Sequence, residues 1–132
     1  ANTVDTKKLI IIYGIASAMS YLHSLNYLHR DIKPLNILFD KQFHPILANF
    51  GLYVQIKEDE KIIENKPIGT APYFAPEIWT DGVYSKSSDV YAFGIAIYEL
   101  ISETFFLENA IIANILYRIA YGYPFAYFIG VI

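Results

Sequence analysis

The stretch Leu28-His29-Arg30-Asp31-Ile32-Lys33-Pro34-Leu35-Asn36-Ile37-Leu38 decides how the rest of the chain is read. It is polar, it contains a proline, and it lies between two apolar segments, so residues 26–36 read as a loop. Asp31, Lys33 and Asn36 fall within six residues of one another on that loop. Chemistry-bearing groups concentrate on loops held by a rigid scaffold. A carboxylate can accept a hydroxyl proton, an ammonium can neutralise a phosphate, and an amide oxygen can ligate a hard cation. Phosphoryl transfer needs these groups, because its catalysis is positioning plus charge stabilisation. Taken singly, Asp31 and Asn36 could equally be ordinary turn residues.

Outward from the loop, residues 3–25 read as a helix capped by Thr3 or Asp5. Leu9, Ile12, Tyr13, Ala16, Met19 and Leu22 recur at three- and four-residue steps. Ile10, Ile11 and Ile15 lie off that stripe, so the helix is expected to be buried on most sides. Ile37–Phe39 and Pro45–Ala48 read as a small hairpin turning at Asp40-Lys41-Gln42. Residues 53–70 are charge-rich with few apolar anchors and read as a long, mobile loop. Pro72 and Pro76 predict an extended, turning segment. Ser87 or Ser88 would cap a buried helix over 89–102, and another helix is expected over 109–121. The fold class is α+β, mainly α-helical, around a buried central helix.

Further motifs give the loop its context. His29-Arg30-Asp31 through Lys33 and Asn36 resembles the catalytic loop of eukaryotic protein kinases in its Ser/Thr form. Asn49-Phe50-Gly51 stands thirteen residues beyond Asn36, where that family has Asp-Phe-Gly. Gly69-Thr70 and Ala75-Pro76-Glu77 resemble its substrate-positioning loop and Ala-Pro-Glu motif. Asp89-Val90-Tyr91-Ala92-Phe93-Gly94 is similar to the start of its buried central helix. The motifs come in family order at family-like spacing.

The resemblance implies a role for each position. Asp31 would orient and deprotonate the substrate hydroxyl, and Lys33 would contact the transferring phosphate. Asn36 and Asn49 would hold Mg²⁺, and Leu38 would floor the adenine pocket of ATP. Arg30 would anchor a phosphorylated activation loop. Thr70, like Lys33, points to the Ser/Thr class. Glu77 would pair with a later arginine, and with none matching it is expected to be unpaired or exposed. Asp89 would accept hydrogen bonds from the catalytic-loop backbone. His29 would be a packed structural histidine, His23 a helix-end residue and His44 a surface turn residue.

Departures from the family pattern qualify the implied activity, which is ATP-dependent phosphorylation of protein Ser/Thr. Asn49 offers a neutral amide where a charged oxygen is needed, with an expected loss of about two orders of magnitude or more in transfer. No Gly-x-Gly-x-x-Gly occurs, and no lysine-bearing strand precedes the loop. The expectation is therefore a partial kinase domain over residues 1–132, a C-lobe fragment without the N-lobe and the final C-lobe helices. The alternative is a catalytically inactive pseudokinase or truncated kinase acting as a protein-binding module. Residues 52–69 contain no Ser or Thr, so phosphate-driven ordering has few sites.

Composition agrees with a cut domain. The 132 residues are 55% hydrophobic and only 17% charged, against about 45–50% and about 25% in typical soluble domains. This composition excludes disorder, and the net charge of -3 speaks against nucleic-acid binding. There is no Cys, hence no disulfide or thiolate site. Leu9–Leu22 is too short to span a membrane, and Arg118, Gly122 and Pro124 interrupt Ala110–Ile132. No membrane association and a cytoplasmic location are expected. The expected partner is a protein, as substrate or binding partner. Exposed apolar surface would favour self-association and poor solubility.

Overall fold

The computed structural model describes residues 6–42 and 44–102. The expected caps at Thr3 and Asp5, the helix over 109–121, and the 110–132 segment with Arg118 lie outside those residues. Helix α1 spans Thr6–Ser24 and is followed by the two-residue strand β1 (Tyr27–Leu28). Strands β2 (Ile37–Phe39) and β3 (Pro45–Leu47) form the expected hairpin, with Ile37 opposite Leu47 and Phe39 opposite Pro45. Its turn is held by Asp40, whose carboxylate accepts the N–H groups of His44 at 2.8 Å and Gln42 at 2.9 Å. The His44 bond is the main reason the Asp40 carboxyl lies below its ordinary pKa.

Strands β4 (Val54–Gln55) and β5 (Ile62–Ile63), helix α2 (Pro76–Asp81), strand β6 (Val83–Tyr84) and helix α3 (Lys86–Ser102) complete the described chain. β1 pairs with β4, and β5 pairs with β6, both antiparallel. The 53–70 segment is thus not the structureless loop its charges suggested. It is fastened to the body at two short ladders. Pro76 begins a helix rather than extending the chain, since its missing N–H costs nothing in a first turn.

α3 begins at Lys86, three residues before the expected 89, and Ser87 and Ser88 lie inside it. The reason is a local exchange of hydrogen bonds: Ser88 Oγ accepts the Ser85 N–H at 2.9 Å and donates to the Ser85 carbonyl at 2.8 Å. The helix is mostly apolar, but it buries Ser88, Asp89 and Glu99 along with Ala92, Ile95 and Ala96.

α1 corrects another expectation. It buries only Ile15 and Met19, while Tyr13 is 76% and Tyr21 69% exposed and Leu9 and Ile10 are also open. It packs against β1, β3 and α3, and the buried side does not follow the expected stripe: Ile15 and Met19 enter the core with Ile11 against it, while Leu9 and Tyr13 stay open. Gly14 sets how closely α1 approaches the hairpin, because a Cβ there would stand 2.3 Å from Pro45 Cγ. Ile15, Met19, Ile32, Leu47, Tyr73, Ala92 and Ile95 form one core, between α1, the hairpin and α3. A second gathers Leu28, Ile56, Phe74, Ile78 and Tyr84 under the 53–70 segment. The loop from His29 to Asn36 runs between the two.

Candidate active site

His29 and Arg30 fix the base of this loop. His29 is fully buried. Its Nε2 lies 2.8 Å from the Ala48 carbonyl, and its Nδ1 lies 3.1 Å from the Asp31 N–H. A carbonyl can only accept and an N–H can only donate, so the ring is the Nε2–H tautomer. It ties the loop to the residue before Asn49, with Phe50 edge-on at 5.5 Å. Arg30 holds φ at +69°, a conformation that costs a residue with a Cβ of order 1–3 kcal/mol and persists only under constraint.

Asp89 supplies that constraint. It is 2% exposed, and its carboxylate accepts the His29 N–H at 2.8 Å and the Arg30 N–H at 3.0 Å. His23 Nε2 reaches the same carboxylate at 2.9 Å. On sequence alone His23 is only a helix-end residue, and it does lie in the last turn of α1. Its partner stands 66 positions away, and no local pattern announces such a contact.

Above this base the polar side chains converge. Thr70 Oγ donates to Asp31 Oδ1 at 2.7 Å and accepts from Lys33 Nζ at 2.7 Å. Lys33 Nζ lies 4.0 Å from Asp31 Oδ2. Gly69 delivers Thr70 to this point. Its φ is +98°, and a Cβ would lie 2.6 Å from the Arg30 carbonyl, so only glycine lets the two loops touch. Each Asp31 oxygen has a second lone pair, so the carboxylate can still take a proton from an added hydroxyl. Lys33 places a positive charge beside it.

Asn36 is buried and donates through Nδ2 to the Asp31 carbonyl at 2.7 Å and to Asp31 Oδ2 at 3.1 Å. Its amide oxygen therefore faces Asn49, whose Nδ2 donates to it at 3.1 Å. Asn49 has φ +60°, a region Asn tolerates better than most residues. This arrangement does not fit Mg²⁺ as it stands. Asn49 sets its amide hydrogens against the Asn36 oxygen, putting the positive end of an N–H dipole where a hard cation would need a second oxygen. No group of three or more His, Asp or Glu side chains suited to a metal occurs among the described residues.

The remaining residues lie apart from this cluster. Leu38 is 55% exposed on β2, opposite Ile46. Glu77 is partly buried in the first turn of α2. It stands near Tyr91, whose phenol is pushed well above its ordinary pKa, mainly by burial and further by the Glu77 charge. Arg30 turns its guanidinium onto the 53–70 segment.

A cavity of about 340 Å³ opens between α1 and α3, away from the polar cluster, lined by Ile15, Pro34, Ile37, Phe93, Leu100 and Glu99 among others. Glu99 is 6% exposed and accepts the Tyr73 hydroxyl at 2.9 and 3.0 Å. Burial raises its pKa, with the Tyr73 bond opposing. Burial, then the Glu99 charge and hydrogen bond, push the Tyr73 phenol far up in turn. Because the folded carboxyl holds its proton to higher pH than the unfolded one, it stabilises the fold below its ordinary value of 4.5. That contribution is lost as pH rises through the raised value. Relative to Glu99→Gln, the wild-type chain should lose up to about 1.4 kcal/mol per pH unit across that window. Urea midpoints of both proteins across the window measure it, and parallel curves would contradict it.

The chain belongs to the eukaryotic protein kinase family. The family model of the protein kinase domain matches residues 4–122. Among curated relatives, the chain is 44% identical over 107 residues to a protein kinase and PP2C-like domain-containing protein of Oryza sativa subsp. japonica. That match covers 70% of this chain and 16% of the relative. It is 38% identical over 109 residues to a protein of the same description from Arabidopsis thaliana, covering 71% and 17%. A probable serine/threonine-protein kinase of Arabidopsis thaliana, PBL20, is 37% identical over 104 residues, covering 78% and 27%. The matched part of these relatives is thus under a third of their own length. The mostly helical architecture with few strands is compatible with part of a kinase-like fold. Among the described residues no helix is long and apolar enough to cross a membrane.

Proposed function

We propose that residues 1–132 carry the catalytic-loop part of a Ser/Thr-type protein kinase domain, one in which transfer from ATP to protein hydroxyls is strongly slowed. The relay of Lys33, Thr70 and Asp31, with both steps at 2.7 Å, carries this reading. In it, Asp31 is the acceptor for a substrate hydroxyl proton. Lys33 sets a positive charge where a phosphate would pass. Thr70 registers the segment that would hold the substrate against Asp31. ATP and Mg²⁺ are the cofactors the family implies, and a protein is the partner.

The Asn36–Asn49 hydrogen bond favours a second reading, a pseudokinase that acts by binding a protein. An amide donor seated on the Asn36 oxygen withholds from the cation one of the ligands it would use. The test is radiolabel transfer from ATP to a generic protein substrate in the presence of Mg²⁺, with Asp31→Ala as the control. Transfer at or barely above the control is the expected result. Steady, rapid transfer abolished by Asp31→Ala would show that the chemistry is not slowed.

A further inference from the structure

We infer that Glu64 is a built-in counter-ion for Arg30, holding the 53–70 segment in its observed course without phosphorylation. This goes beyond the proposed function, because it concerns how the segment is kept in place whatever chemistry follows. Arg30 Nη1 donates to Glu64 Oε1 at 2.7 Å, and its Nε donates to the Leu52 carbonyl at 2.7 Å. One guanidinium therefore grips both the start of the segment and a point near its end. The Arg30 side chain is only 10% exposed and that of Glu64 33%, so the pair is shielded from solvent far more than an ordinary surface ion pair. The guanidinium also lies 5.6 Å from the centre of the Tyr84 ring.

The backbone around Glu64 is built to present it. Its N–H donates to the Gly82 carbonyl at 3.0 Å. Its carbonyl lies 2.5 Å from where a Cβ on Gly82 would be, and Gly82 has φ +66°. β5 ends at Ile63, and the ladder with β6, which pairs Ile62 with Tyr84 and Ile63 with Val83, carries Glu64 on to Gly82. Tyr84, 1% exposed, continues the fastening by exchanging two hydrogen bonds with the Ile68 backbone, at 2.6 and 2.8 Å. Residues 53–69 offer no Ser or Thr hydroxyl to modify, and Tyr53 is the one hydroxyl among them. A carboxylate gives Arg30 the charge and the acceptor oxygens a phosphate would give, without an enzyme to add it.

Limited trypsin digestion of the 132-residue chain tests this, since Lys57 and Lys61 are exposed on the segment and Lys66 precedes a proline. Cleavage of a locally opened segment follows the population of the open form. Glu64→Gln, which keeps the shape and removes the charge, should speed cleavage after Lys57 and Lys61 by about fivefold or more. Glu58→Gln, an exposed change on the same segment, should leave the rate as it is. Salt near 1 M, where charges are screened only beyond about 3 Å, should change the wild-type rate little, because the pair is closed at 2.7 Å. A Glu64→Gln rate within twofold of wild type overturns the inference. So does an equal speeding of cleavage after Lys41 in the hairpin turn, outside the segment, which would mean general loosening rather than a lost ion pair. The readout contains no phosphoryl transfer, so an inactive chain leaves the outcome interpretable.

Discussion

Asp89→Ala should cost about 3–5 kcal/mol of unfolding free energy, the range seen when one member of a buried charged network is removed. The argument is a count of what is left behind. The His29 and Arg30 N–H groups and His23 Nε2 all lose their partner at once. Each buried donor without an acceptor costs about 1–3 kcal/mol. The Arg30 backbone, at φ +69°, loses the bond that holds it there. The loop should then relax toward negative φ and carry Asp31 away from Thr70. Chemical denaturation measures the stability, with exposed Ser87→Ala on the same helix as a reference expected to stay within about 0.5 kcal/mol. A loss for Asp89→Ala below about 1 kcal/mol would mean that the loop is held by something else.

Asn49→Asp should convert the amide contact into a cation site. In the wild-type chain, Asn49 Nδ2 satisfies the Asn36 oxygen at 3.1 Å. The substitution replaces that donor with a second acceptor, and two facing oxygens are favourable only with a cation between them. The orientation of Asn36 should not change, because its Nδ2 is already committed to Asp31. Paramagnetic broadening by Mn²⁺ should therefore concentrate on residues 36 and 49 in the variant and be absent there in the wild-type chain. Where transfer is measurable, the charge stabilisation a bound metal supplies should raise it by about a hundredfold. An unchanged rate together with unchanged broadening would sink the metal account of Asn49.

The hairpin after the loop is legible in the sequence because two short apolar runs, Ile37–Phe39 and Pro45–Ala48, flank a polar turn and its partners are near neighbours. The polar loop was readable because a dense set of Asp, Lys and Asn is uncommon outside turns and sites. The ladders β1–β4 and β5–β6 were not, since two residues carry no period. α2 was missed because Pro76 and Pro72 suggest an extended chain, although proline suits a first helical turn. α1 misled in the other direction: its isoleucines promise burial all round, and side-chain type alone does not say where neighbours stand. Within the site, Asp31, Lys33 and Asn36 announce themselves by proximity. His23 and Glu64 do not, because each acts through a partner at least 34 residues away.

That separation has a kinetic consequence. The bonds that shape the loop from His29 to Asn36 close contours of 39 residues to Thr70 and 60 to Asp89. Closing such contours costs chain entropy before any contact repays it. Local helices and the hairpin can assemble early, whereas this loop can take its working shape only after α3 has docked beneath it. Its geometry is therefore completed late, and a nascent chain that ended before Asp89 would lack the bonds that hold the His29 and Arg30 backbone.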